Sequence, residues 1–289
     1  MKNRFYILMV LVCFLLFSGF QWPTQGRVIT ATFGESRWDH FHSGIDLGGG
    51  RQNIYAVDEG EVVYYYEEDQ RYNPIPTGLG NFLVLQHQRG IQSLYAHLYQ
   101  GSLETNIFDI ASGDVIGLTG ASGYSIGTHL HLTFYNIQSQ SSINPLLLLP
   151  EMEDTVPPEI HSASLIQDEQ ELSMTDNMSV RAGSYGLKLH VSDQSHAVQY
   201  YLPMAPYSIE VYLNGTEVIG VSFETITENN GELTLGENSN RTFDNFYYEM
   251  DVFNLGEINL IPGENRVEFV AGDRAGNSSA QSFIVSAVR

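Results

Sequence analysis

No stretch of this chain sustains a helical period of apolar residues. Short runs of β-forming residues recur instead, separated by glycine-rich turns, and that pattern confines the chain to sheet-built architectures. In the first half the runs are Asn53–Val57, Gly60–Tyr66, Phe82–Gln86, Ser93–Leu98, Val115–Leu118 and His129–Tyr135, with turns such as Gly48–Gly50 and Gly78–Gly80 between them. In the second half they are Leu187–Val191, Tyr207–Leu213, Val218–Phe223, Tyr247–Phe253 and Arg266–Val270, with a last strand near Ser282–Val285. Asn214-Gly215 and Pro262-Gly263 read as hairpin or turn signals. The expected fold is mainly β: an N-terminal antiparallel β-sheet domain followed by a C-terminal β-sandwich.

The division falls at Glu151–Glu159, where Pro157 and Pro158 favour a stiff, extended connection. Net charge steps from −5 over residues 1–150 to −16 over residues 151–289. The expected units are therefore 27–150 and 159–289, joined by a linker at 151–158. Lys2 and Arg4 precede an apolar run from Phe5 to Phe20, so residues 1–22 read as a signal peptide or an uncleaved N-terminal anchor. Either places the rest of the chain outside the cytoplasm, in a periplasm, cell envelope or extracellular space. The only cysteine, Cys13, lies in that run, which excludes a disulfide framework or thiolate metal site in the exported part. Thirteen basic against 34 acidic side chains give −21, the wrong sign for nucleic-acid binding.

Any metal must then be held by His, Asp or Glu, and the nine histidines are unevenly placed. His42-Ser-Gly-Ile-Asp46 puts an imidazole and a carboxylate around a glycine that lets the backbone bend, either a divalent-cation pair or a surface pair. His129-Leu-His131 on a strand projects both rings to one face while Leu130 and Leu132 face the core. Such a pair supplies two ligands, or one ligand and one acid/base group. His97 sits in an apolar run, Leu94-Tyr-Ala-His-Leu98, a setting in which a lone histidine is ordinarily a packing residue.

Taken in order, these segments resemble the lysostaphin-type, or LytM-type, zinc endopeptidases that cut peptide cross-links of bacterial cell walls. The resemblance runs from Ile29 to Pro150 through Phe33–Arg37, His40–Leu47, Ile54–Val63, Gly80–His87, Ser93–Leu98, Gly113–Gly120 and Ser122–Leu132. It implies that His42, Asp46 and His131 hold one Zn2+ per chain, leaving a fourth position for water. It implies that His97 and His129 are the acid/base pair, without saying which is the base, and that Asn81 borders the groove in reach of substrate. The chain departs from the family pattern at Leu47–Asn53, where a glycine run replaces an Ala-Pro-x-Gly stretch, and in an apparent insertion at Glu67–Leu79 read as a groove wall. His40 is expected at a pocket rim, and His87, His161, His190 and His196 in structural or surface roles. Residues from about 157 resemble, more weakly, immunoglobulin-like domains of exported bacterial proteins, with Asp273 in a turn rather than a calcium site.

The function expected is an exported zinc metallo-endopeptidase acting on peptidoglycan stem peptides or cross-bridges. The rival is a non-hydrolytic envelope regulator that activates a separate cell-wall amidase. Partners expected are peptidoglycan peptides, no nucleic acid, and a cell-envelope protein contacted through the C-terminal domain.

Overall fold

The structure, a computed structural model, describes residues 19–68, 77–103, 108–194, 203–236 and 239–289. Residues 1–18, with Cys13 and most of the expected leader, residues 69–76 in the middle of the Glu67–Leu79 segment, and His196 lie outside the described residues. The first unit contributes ten strands: β1 (Ile29–Ala31), β2 (Ile45–Leu47), β3 (Asn53–Tyr55), β4 (Gly60–Tyr66), β5 (Phe82–Gln86), β6 (Ile91–Ala96), β7 (Asp109–Ile110), β8 (Val115–Leu118), β9 (Leu130–Asn136) and β10 (Ser141–Ile143). The remainder runs β11 (Glu159–Gln167), β12 (Gln170–Ser173), β13 (Met178–Arg181), β14 (Gly183–Ser192), β15 (Ser208–Leu213), β16 (Thr216–Ser222), β17 (Thr225–Asn229), β18 (Glu232–Leu235), a four-residue helix α1 (Phe243–Phe246), β19 (Tyr247–Glu249), β20 (Val252–Leu260), β21 (Gly263–Gly272) and β22 (Ser278–Val288).

The chain is thus almost entirely β. Its second half builds two five-stranded sheets, β12-β11-β14-β20-β19 and β13-β22-β21-β15-β16. Alternation explains them: Leu187, Leu189 and Val191 of β14, and Val267, Phe269 and Ala271 of β21, are all buried, while Lys188, His190, Glu268 and Val270 between them are more exposed. The β15–β16 hairpin turns at Asn214 and Gly215, whose φ angles of +54° and +82° are those a two-residue type I′ turn requires. Asp273 closes a turn, its carboxylate accepting from the backbone N–H and side-chain amide of Asn277.

Two features depart from the expected division. Phe20, Gln21 and Trp22 belong to the folded first unit. Phe20 packs against Phe134 at 4.7 Å, Gln21 N–H donates to Val57 O, and the Trp22 indole donates to Pro150 O. The second half also does not stay apart from the first. The hairpin β17–β18 leaves the sandwich and extends the first unit's sheet, giving a ten-stranded sheet with the path β18-β17-β10-β9-β6-β5-β4-β7 and with β1 and β2 joined through β9. β17 pairs with β10 from Ser141↔Thr227 to Ile143↔Thr225. Beyond the hairpin, Phe243, Phe246 and Tyr247 surround Phe41, with ring centroids 5.6, 6.4 and 5.9 Å away. The residues at 225–247 therefore complete the unit that carries the histidines.

Candidate metal centre

β9 is the spine of the site. It pairs with β6 on one side and, over its first three residues, with β2 on the other, so that Asp46 lies in register with His131. Leu130 and Leu132 are fully buried in the core, which turns His131 to the opposite face beside Asp46. His42 enters from the loop before β2. Gly44, between them, does not bend the chain through a special dihedral. Its role is close approach, because a Cβ there would lie 2.3 Å from Leu132 O.

Three atoms converge. His42 Nε2 is 2.9 Å from His131 Nδ1 and 3.2 Å from Asp46 Oδ1, and His131 Nδ1 is 3.0 Å from the same oxygen. His42 Nδ1 lies 2.7 Å from the Thr32 carbonyl, an acceptor only, so that nitrogen carries the proton and Nε2 presents a bare lone pair. Thr133 Oγ1, 2.9 Å from His131 Nε2, can accept a hydrogen bond from that nitrogen in the same way. At most one proton is then available to three acceptor atoms, each about 3 Å from the other two. A divalent cation at their centre satisfies all three lone pairs at once. Two imidazoles and a carboxylate suit zinc, whose ligands at about 2.0–2.2 Å stand slightly over 3 Å apart in a tetrahedron. The residues present fit the ion.

The surroundings reinforce that chemistry. Arg37 Nη2 donates to Asp46 Oδ2 at 2.6 Å, leaving Oδ1 facing the histidines. Burial alone would raise the Asp46 pKa, but His42 and His131 outweigh it and hold the carboxyl well below the usual range. Burial pushes His131 down, toward the neutral form a ligand needs.

Two further imidazoles face this triangle. The His97 ring lies 4.8 Å from that of His129 and 6.0 Å from that of His131. His97 Nδ1 donates to Ser122 O at 2.8 Å, so its Nε2 is bare in the neutral form. Burial pushes its pKa down to about 4. His97 also sits at φ +62°, a left-handed conformation that a side chain with a Cβ seldom adopts, and strain of this kind concentrates at functional sites. His129 Nδ1 points to Gly127 O and Ser125 Oγ, while its Nε2 is 3.7 Å from Asp46 Oδ2.

Asn81 does not border the groove as expected. It is fully buried, its Oδ1 accepts from Glu68 N–H, and its amide donates to Leu98 O and Gln100 Oε1. With every polar atom engaged internally, it fixes the backbone around His97 rather than meeting a ligand; Leu98 N–H donates to its carbonyl. His40 is exposed beside Asp39, and His87 is buried between Glu59 O and Ser93 Oγ. The outer partners Thr32, Ser122 and Thr133 were not singled out from sequence. Thr32 and Ser122 act through backbone carbonyls, which no side-chain pattern reports. Thr133 follows His131 by two residues, and its same-face position was the available signal.

The second half reaches this site directly. The Tyr247 hydroxyl donates to Gly34 O at 2.8 Å, and Gly34 N–H donates to His42 O at 2.7 Å. The Thr32 hydroxyl donates to Ala205 O at 3.0 Å, from the same residue whose carbonyl orients His42.

Comparison with known proteins places these residues in a wider set. The model of peptidase family M23 matches residues 40–145, and a second family model spans residues 157–288. The murein hydrolase activator NlpD of Escherichia coli (strain K12) is 34% identical over 135 residues, 46% of this chain and 32% of NlpD. The DD-carboxypeptidase/endopeptidase Mpg of Neisseria meningitidis serogroup B is 36% identical over 113 residues, 38% of this chain and 24% of Mpg. The chain thus spans about a third or less of the length of these relatives. A zinc-containing peptidase from Vibrio cholerae is 25% identical, covering 40% of this chain and 36% of that one, with a TM-score of 0.33.

Proposed function

We propose that the chain, whose residues 40–145 match the model of peptidase family M23, is an exported zinc metallo-endopeptidase that hydrolyses peptide bonds in peptidoglycan stem peptides or cross-bridges. The observation that carries this reading is the convergence of His42 Nε2, Asp46 Oδ1 and His131 Nδ1 with two more imidazoles, His97 and His129, at their edge. A regulator that only docks onto another enzyme needs none of the five.

Zinc held by His42, Asp46 and His131 would polarise the scissile carbonyl and bring the pKa of a water down to about 7. His97, neutral and with Nε2 bare, accepts the proton from the attacking water. A pKa pushed down to about 4 makes its protonated form a ready donor, so the proton does not stay there. His129, its ring 4.8 Å from that of His97 and its Nε2 3.7 Å from Asp46 Oδ2, relays that proton to the departing amine. Trp38, Tyr124 and Ile126 are strongly exposed on the loops beside Arg37 and His129. They offer apolar walls to an extended peptide.

The test is digestion of purified, cross-linked peptidoglycan by the full exported chain with one equivalent of zinc, read by mass spectrometry. Loss of cross-linked fragments, abolished by a chelator and by His131→Ala, is expected. His97→Ala and His129→Ala should each lower the rate at least ~100-fold while retaining zinc. A zinc-loaded chain that releases nothing overturns the reading. The likeness to NlpD favours a second reading, activation of a separate amidase. If the inactive chain accelerates a purified amidase on the same substrate, and His97→Ala does so equally, that reading replaces the first.

A further inference from the structure

A second cluster of metal-binding side chains lies on the outer face of the sandwich, where the sequence alone leaves His161 and His190 without carboxylate company. The pairing of β11 with β14 slips between Ile160 and Ser162, so His161 is an extra residue, a β-bulge. His161 and Ser162 both turn to solvent opposite His190, whose neighbours Leu189 and Val191 are fully buried. The bulge brings the two imidazoles to 4.5 Å between centroids. β20 pairs on the other side of β14, and the residue before it, Asp251, places Oδ2 2.9 Å from His190 Nε2. Asp251 is held there by its backbone, since its carbonyl accepts from Val191 N–H at 3.1 Å. Glu159 Oε1 stands 3.7 Å from His161 Nδ1, and Ser192 Oγ is 2.8 Å from His161 Nε2.

The geometry points to a second divalent-cation site, formed by His161, His190 and Asp251, with Glu159 in reach as a fourth ligand. One donor atom from each of the three lies within 4.8 Å of the others. That triangle is wider than the first centre's, but both rings are partly exposed, and small rotations bring them to the spacing of about 3 Å that ligands share around one ion. Two imidazoles with a carboxylate select zinc, nickel or copper over magnesium or calcium, which prefer all-oxygen shells. Lys188, on the same face of β14, is drawn aside to Glu171 at 2.9 Å, so its charge is compensated. The site joins three neighbouring strands of one sheet and includes the turn that follows β19. Tyr247, at the start of β19, is the residue that donates to Gly34 O beside the first centre.

The test is zinc content after equilibrium dialysis of the full chain, with His131→Ala disabling the first centre. His131→Ala is expected to keep one equivalent of zinc, and His131→Ala/His190→Ala none. Zinc should raise the melting temperature of the first variant and leave that of the second unchanged. In imidazole nitrogen NMR spectra of His131→Ala, zinc should shift the resonances of His161 and His190 together. Asp251→Asn, which keeps the shape of the turn, should weaken zinc binding at least tenfold. Equal zinc content with and without His190→Ala, or zinc that leaves both resonances unmoved, overturns the proposal. Neither result depends on whether the first centre hydrolyses a peptide.

Discussion

Gly44→Ala tests how tightly the first centre is built. Asp46 and His131 face one another across β2 and β9, and Gly44 is where the approach to β2 crosses β9 most closely. An added Cβ would meet Leu132 O at 2.3 Å, Thr133 Oγ1 at 2.8 Å and Leu132 C at 2.9 Å, whereas ordinary contact begins at 3.4 Å. The two backbone obstacles belong to a strand hydrogen-bonded to β6 and β2, so the loop carrying Gly44 must retreat by about 1 Å. Overpacking of this size costs about 1–3 kcal/mol, which an ordinary domain survives. Metal–ligand distances, by contrast, tolerate only about 0.2 Å. The displacement is several times that margin, so zinc binding should suffer far more than folding. We expect the affinity of the first centre to fall at least ~100-fold, near 3 kcal/mol, with the chelator-treated protein destabilised by about 1–3 kcal/mol. Competition against a chromophoric chelator gives the first quantity and denaturant unfolding the second, both measured in a His190→Ala background. Affinity within threefold of the parent, alongside measurable destabilisation, would refute the close-approach argument.

Asp193 is buried between the two units, and burial, with Asp273 and Asp154 nearby, pushes its pKa up to about 7. Below about pH 4 it is protonated in both folded and unfolded chains. Between there and pH 7 only the unfolded chain ionises, so stability is lost as pH rises, by roughly 4 kcal/mol at full extent. Asp193→Asn can keep the bond from Gln194 N–H, and it should raise the melting temperature at pH 8 with little effect at pH 4. Phe246 is fully buried among Phe41, Phe223, Tyr247 and Phe253, so Phe246→Ala should cost about 3–5 kcal/mol by calorimetry. The two units should still melt in one transition. Arg37→Met removes the donor on Asp46 Oδ2 and should weaken zinc binding about 10–100-fold by competition titration.

The strands that were readable in the sequence are those whose partners impose alternation or whose ends carry turn residues. β4, β5 and β8 begin and end where the pattern puts them, and the Asn214-Gly215 hairpin needs no tertiary context. The residues of the metal triangle stood out because histidine and aspartate flank glycine, and because two histidines share one strand face. β17 did not stand out. Thr-Ile-Thr-Glu-Asn has a single buried apolar residue, Ile226, and its partner β10 lies more than 80 positions earlier. β11 was hidden by its own bulge, which breaks the alternation at His161 and also assembles the outer histidine pair. Asn81 differs in kind, because its place at the groove came from the family resemblance and not from its own pattern. No sequence pattern reports the four internal partners that make it a buried bracket.

The hydrogen bond from Tyr247 to Gly34 spans 213 positions, which sets the order in which this protein can mature. A chain emerging from its N-terminus presents His42, Asp46, His97, His129 and His131 long before the residues that brace Phe41 have been made. At roughly 5–20 residues per second, the roughly 115 residues from His131 to Tyr247 take about 6–23 seconds. Between the making of β10 and that of β17 the sheet ends at an unpaired β10 edge, and until Tyr247 is made the loop carrying His42 lacks its aromatic backing. Long-range closure of this kind is also slow once the chain is whole. The centre is therefore among the last parts of the molecule to set, and a nascent chain carries its histidines for much of its synthesis before it carries a finished site.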